Sequence, residues 1–332
     1  MGRNDEVTGR NNDILAVVIA EPTASGKSAA AMAVAREFDG VVINADSMQI
    51  YDGMPLLTAR PTAAEMCGIP HRLYGVLNVG EICSAARWRE MAITEIETAR
   101  RAGQLPILCG GSGLYIKALM EGLSPIPEIS DAIRASVRDG LETLGVAAMY
   151  EDLSVRDPVM ADRLMPTDRQ RISRAMEVLI ATGKSLADWQ AEPKSGSPPD
   201  VEFATICFLP SREDLYESCN ARLLQMIELG AVAEVEMAFE LYAKRRQHQG
   251  GAELPLMKAL GASHFHAYSA GELTLENAIE KAQQATRRYA KRQMTWLNNN
   301  FISQIIIKEK YSENLNSKFF SFVRQKLLTL NS

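Results

Sequence analysis

IAEPTASGKSAA, residues 19–30, follows an apolar run and opens onto an alanine-rich stretch with helical character. The phosphate-loop template is G-x-x-x-x-G-K-[ST], and this chain offers Glu21-Pro-Thr-Ala-Ser-Gly26-Lys27-Ser28, lacking only the first glycine. Gly26 lets the backbone approach an anion closely. Successive N–H groups and the helix N-terminus supply partial positive charge, Lys27 reaches phosphate oxygens, and Ser28 can ligate a Mg2+ cofactor. Thr23, Ala24, Ser25, Gly26, Lys27 and Ser28 are therefore the candidate phosphate-binding set, of the kind found in nucleotide- and ATP-binding proteins. Glu21 breaks the pattern, because glycine adopts backbone angles that glutamate resists and a carboxylate aimed at bound phosphates would repel them. The expectation is that its side chain points away from the ligand and that the loop survives with weaker binding.

Outward from the loop, ILAVVIA (14–20) is short, continuous and rich in β-branched residues, as in a strand buried on both faces of a parallel sheet. GVVINADS (40–47), LPILCGGSGLY (105–115) and EFATICFLP (202–210) repeat that character. Strands alternating with helices predict an α/β fold, a P-loop NTPase-like parallel sheet core with ligands at the carboxyl ends of the strands. The proline-rich segments SPIPEIS and EPKSGSPPD bracket a helical stretch. The predicted organisation is a flexible N-terminus at 1–12, a core at 13–123 and 200–302, an all-α insertion at 124–199, and a C-terminal tail at 303–332. Within the tail, IIIK is β-like and FFSFVRQKLL can dock as a helix.

A chain of 332 residues with 46% hydrophobic content supports about two domains. The net charge of -5 argues weakly against nucleic acid, yet from Lys281 onward there are ten Lys or Arg against two Glu. That basic end suits either a solvated surface or a nucleic-acid contact. Five scattered cysteines show no zinc spacing and fit a reduced compartment. No stretch reaches the roughly 20 apolar residues of a membrane span. A cytoplasmic protein with no membrane association is expected.

A phosphoryl-transferring P-loop protein places an Asp at the end of another hydrophobic strand to hold magnesium. Here LPILCGG ends in Cys109-Gly110-Gly111, and the acid instead closes GVVINAD as Asp46. By position alone, Asp46 either faces whatever the loop holds or caps the next helix.

PTASGKS, ADSMQIY, GGSGLYIKAL, DRQRISRAMEV and TRRYAKRQMTW occur in the order and approximate spacing of the tRNA dimethylallyltransferase (tRNA isopentenyltransferase) family, bacterial type, which the chain resembles over about residues 14–301. The resemblance implies transfer of a dimethylallyl group from dimethylallyl diphosphate to the exocyclic N6 amine of the adenosine 3′ of the anticodon. The loop set above would then bind diphosphate without hydrolysing a nucleotide. By similarity Asp46 is the general base, Thr23 lies near the donor's bridging oxygen, and Lys27 and Arg222 clamp the pyrophosphate. Contacts to the anticodon stem-loop of tRNA are implied for Asp46, Ser47, Met48 and Gln49, with Gln49 reading the flipped adenine, and for Ser112, Arg134 and Lys258. They are implied too for Gln170, Arg171, Ile172, Ser173 and Arg174, beside Arg169, and for Lys291, Arg292, Gln293, Thr295 and Trp296. Arg288, Lys291, Arg292 and Thr295 fall on one continuous helix face, and Tyr289, Gln293 and Trp296 on its neighbour. A monomer is expected.

Several positions depart from the family pattern: Leu297-Asn298 replaces an aromatic and an arginine, Ala262 stands where a tyrosine is frequent, and Ser112 stands where threonine is usual. The rival readings are a kinase or isopentenyltransferase acting on free adenine nucleotides, and a catalytically lapsed tRNA-binding protein.

Overall fold

The structure is a computed structural model that describes residues 14–24, 26–246 and 254–330. The expected flexible segment at 1–12 and Ser25 of the phosphate loop lie outside the described residues. The described chain divides into two compact units, one formed by the segments up to Met120 and from Pro198, the other by Glu121–Ser197.

In the first unit the elements run β1 (Ile14–Ala20), α1 (Lys27–Glu37), β2 (Gly40–Asn44), α2 (Ala63–Met66), β3 (His71–Arg72), α3 (Ala85–Arg101), β4 (Leu105–Gly110) and α4 (Gly113–Glu121). The second unit holds α5 (Asp131–Arg156), α6 (Pro158–Ala161), α7 (Arg169–Thr182) and α8 (Leu186–Ala191). The first then resumes with β5 (Val201–Phe208), α9 (Arg212–Glu228), α10 (Ala231–Arg246), α11 (Ala262–Ser269), α12 (Leu275–Asn300), β6 (Ile305–Ile307) and α13 (Asn316–Leu330). Among the described residues no helix is long and apolar enough to cross a membrane.

Six parallel strands form one sheet in the order β3-β2-β4-β1-β5-β6. All seven residues of β1 are buried. Ile14, Ala16, Val18 and Ala20 enter one apolar cluster, while Leu15, Val17 and Ile19 enter another on the opposite face. This period of two with both sides apolar is why the strand reads as an unbroken hydrophobic run. One face is covered by α1 and α13, through Ala30, Ala31 and Val34 and through Phe319 and Val323. Within the expected tail, residues 305–330 join the core, since β6 pairs with β5 and α13 packs on α1 and β1, in keeping with the β-like IIIK and the docking helix read from the sequence.

The sheet order creates the site. β4 lies between β1 and β2, with Ala20 paired to Gly110 and Asn44 to Cys109. The carboxyl ends of all three strands therefore meet, at the kind of crevice where open α/β sheets bind ligands.

The second unit has its own core, which includes Ile129, Leu141, Leu153, Ile172 and Met176. Ser130 and Asp168 cap α5 and α7 by accepting from Ile133 N and Arg171 N. Gly145, at φ +83°, breaks α5 where a residue with a Cβ would be strained.

Candidate functional site

The first helix after β1 starts without a side-chain cap: Gly26, its N-cap, is left-handed at φ +107°. No side chain of the N-cap therefore takes the first N–H groups of the helix: the Ala29 N–H already reaches the Gly26 carbonyl, and those before it are open to another acceptor. One of them has found it inside the protein. Lys27 N–H donates to Glu21 Oε1 at 2.6 Å, and Lys27 Nζ lies 3.8 Å from the same oxygen. Glu21 is 1% exposed. The expectation that its side chain points away is corrected: the carboxylate turns into the cradle, because a buried anion needs compensating donors and the loop supplies them.

Two cavities meet at this loop. One, of about 700 Å³, is bordered by Glu21, Gly26, Lys27, Ser28 and Arg60. The other, of about 270 Å³, is bordered by Thr23, Asp46, Ser47, Met48, Lys258, Tyr289 and Arg292. Ala24, Ala59, Arg222 and Met226 belong to both, so they form a common wall. An anion beside Lys27 and a group beside Asp46 would approach each other across it.

Asp46 borders the smaller cavity, and what it caps is a turn over residues 47–50, not a helix, since the next helix along the chain is α2. Its Oδ1 accepts from Met48 N at 2.8 Å and Gln49 N at 3.4 Å. Neither bond uses Oδ2. Asn44, fully buried, fixes the backbone beneath it: its Oδ1 accepts from Asp46 N and its Nδ2 donates to the carbonyls of Asp46 and Leu73. Ser47 N donates to Ser112 Oγ at 2.9 Å, so Ser112 braces the loop that carries Asp46.

The thiol beside this loop, Cys219, is buried. Burial pushes Cys219 up to about 11, and its Sγ donates to the Thr23 carbonyl at 3.8 Å. Burial, and then the nearby Asp46 charge, also hold the Tyr289 hydroxyl above its ordinary value. Tyr289 is thus a neutral ring beside Asp46, with the Arg292 guanidinium 5.6 Å from its centroid.

Among the described residues no three His, Cys, Asp or Glu gather as a metal cage. Ser28 is exposed and borders the larger cavity with Lys27. A Mg2+ ion there fits only as one that takes its remaining ligands from phosphate oxygens and water, a mode that suits this ion.

The residues expected to contact RNA divide. Arg288, Lys291, Arg292 and Thr295 are exposed on α12, as their spacing requires, and Lys258 is exposed at the smaller cavity. The neighbouring face turns inward. Gln293 is 7% exposed, with Oε1 accepting from Thr23 N and Nε2 donating to the Gly111 carbonyl. Trp296 lies over Gly113, where a Cβ would fall within 2.5 Å of the indole ring. Gln49 commits its Nε2 to the carbonyls of Thr58 and Ala59, so the donor expected to read adenine is used inside the protein. In the second unit, Arg134, Gln170 and Arg171 are exposed, Arg174 pairs with Glu177, and Ser173 Oγ donates to the Arg169 carbonyl. Ile172, a candidate RNA contact, is wholly buried in that unit's apolar core.

Two groups escaped the sequence reading. Asn44 carried the signal of a polar residue ending a buried strand. Glu234 accepts from Leu56 N and Leu57 N, both at 2.9 Å, and so holds the segment that borders both cavities. Nothing local marks it, because its partners lie far away in sequence.

A family model described as IPP transferase matches residues 49–300. A tRNA dimethylallyltransferase from Paramagnetospirillum magneticum is 50% identical over 314 residues, 95% of this chain and 97% of its own length. The crystal structure of a tRNA isopentenylpyrophosphate transferase from Staphylococcus epidermidis matches with TM-score 0.64 and 32% identity, over 94% of this chain and 99% of that one. A eukaryotic dimethylallyltransferase acting on tRNA matches with TM-score 0.76 and 26% identity, over 96% of this chain and 80% of that one.

Proposed function

Because this chain belongs to the IPP transferase family and is a prenyltransferase, we propose that it moves the dimethylallyl group of dimethylallyl diphosphate onto the exocyclic N6 amine of the adenosine 3′ of the anticodon in tRNA. The observation that carries the reading is the wall shared by the anion cradle and the Asp46 cavity.

The donor's diphosphate occupies the larger cavity, held by Lys27, Arg222 and the loop N–H groups. A planar, two-pronged guanidinium suits such an anion. The apolar side chains of Ala24, Ala59 and Met226 take the dimethylallyl chain along the shared wall. The adenine enters the smaller cavity after leaving its stack, beside Tyr289. The amine lone pair then bonds to C1 of the allyl group as the C1–O bond breaks. The bonding electrons leave with the diphosphate, and the amine proton passes to Asp46 and on to solvent. Charge grows on the departing diphosphate, so donors fixed around it act more on the transition state than on the ground state. Magnesium held by Ser28 and phosphate oxygens would, when bound, neutralise that growing charge.

Incubation with labelled dimethylallyl diphosphate and undermodified tRNA should place label in the RNA. Label in AMP instead, phosphate transfer from ATP, or tight tRNA binding without turnover would each overturn the assignment. The exposed cations of α12 give a second test. Substituting Arg288 and Arg292 with alanine should weaken tRNA binding and flatten the log–log salt slope by about 0.7 for each phosphate no longer neutralised. Filter binding between low and moderate salt measures this, and a rate defect at saturating tRNA with an unchanged slope would contradict it.

A further inference from the structure

α12 sends its cations outward and one amide inward. Gln293 Oε1 accepts the Thr23 N–H at 2.9 Å, and Nε2 donates to the Gly111 carbonyl at 2.9 Å. The two partners are backbone groups just beyond β1 and β4, so one side chain from a third element ties together the carboxyl ends of neighbouring strands. The fit is close. A Cβ on Gly111 would stand 2.3 Å from Nε2, so the amide occupies the space that only glycine leaves there. Only a side chain with both a donor and an acceptor serves both strands. Glutamate would turn one of the two contacts into a repulsion, and an apolar residue would leave two buried backbone groups unmatched.

The position matters because of what Thr23 borders. Its peptide opens the phosphate loop, and its side chain lies on the wall of the Asp46 cavity. The other tether reaches Gly111, next to Ser112, whose hydroxyl accepts the Ser47 N–H beside Asp46. A single amide therefore sets the anion loop and the loop of the proposed base against each other.

We propose that Gln293 is a positioning residue of the donor site, acting through the Thr23 peptide, and not a contact to RNA. The inference rests on the transferase reading of the same site. Its test is Gln293→Leu in the full chain, with inorganic pyrophosphate as probe of the cradle and an anticodon stem-loop as probe of the RNA face. Pyrophosphate should bind about tenfold more weakly, the equivalent of one missing hydrogen bond, while the stem-loop dissociation constant stays at the wild-type value. Single-turnover transfer at saturating substrates should also fall, which a merely structural role would not bring about in a protein whose thermal midpoint is preserved. If Gln293→Leu fails to fold, Gln293→Met keeps the unbranched length of the side chain, removes both hydrogen bonds without adding charge, and should show the same weakening of pyrophosphate binding. Weakened stem-loop binding with unchanged pyrophosphate binding would overturn the proposal, as would no change in either. The pyrophosphate result stands even if the wild type moves no dimethylallyl group to tRNA, so the two failures are distinguishable.

Discussion

Asparagine in place of Asp46 leaves tRNA bound and slows dimethylallyl transfer by about 10² to 10⁴-fold, the usual contribution of a positioned acid or base. The amide keeps the geometry, because its carbonyl oxygen still accepts the N–H groups of Met48 and Gln49 that Asp46 Oδ1 now accepts. The bracing of Asp46 N by Asn44 and of Ser47 N by Ser112 is untouched. What disappears is the charge and the capacity to take a proton. An exocyclic aromatic amine is a poor nucleophile, so losing the proton acceptor raises the barrier of the bond-forming step itself. Rapid-quench single turnover with labelled donor measures the rate, and stem-loop titration measures binding. A rate close to wild type would remove Asp46 from the role of base. Asp46→Ala, which also loses the capping turn, should be at least as slow and should bind the stem-loop less well.

Glycine in place of Glu21 should produce the second large effect, and in the opposite direction. Glu21 Oε1 accepts the Lys27 N–H at 2.6 Å and lies 3.8 Å from Lys27 Nζ. A diphosphate seeking the same donors must displace a carboxylate that is 1% exposed. Hydrogen bonds to charged groups are worth about 1.5–3 kcal/mol, and tenfold in affinity corresponds to about 1.4 kcal/mol. Glu21→Gly should therefore tighten pyrophosphate binding by about 10- to 100-fold. Glu21→Gln, which keeps an acceptor without the charge, should fall between the two. Calorimetric titration with pyrophosphate reads the order directly. Unchanged or weaker binding in the glycine variant would mean that the carboxylate does not compete with the ligand.

These expectations rest on sequence and tertiary structure in unequal parts. Strand β1, the turn at Gly26 and helix α1 could be read at once, because a buried parallel strand, a glycine with positive φ and an alanine-rich helix each write their physics into adjacent residues. Asp46 was legible as a candidate, though capping and catalysis could not be separated until its Oδ1 and the cavity were both in view. Ile172 could have been set aside from its helical period alone, since it lies on the apolar face of α7 with Ala175 and Met176.

By itself, then, the sequence determined the α/β core, the turn at Gly26 between β1 and α1, and the outward stripe of Arg288, Lys291, Arg292 and Thr295, all of which follow from short-range periodicity and local backbone geometry. Only the tertiary structure decided where the polar side chains at its interior spend their hydrogen bonds: Glu21 on Lys27, Gln49 on Thr58 and Ala59, Gln293 on Thr23 and Gly111. It also decided where the β-like IIIK of the terminal segment goes, by pairing β6 with β5. The reason is the same in each case. A buried polar group goes to whichever unmatched partner the fold brings within reach, and two of these partners are far away along the chain.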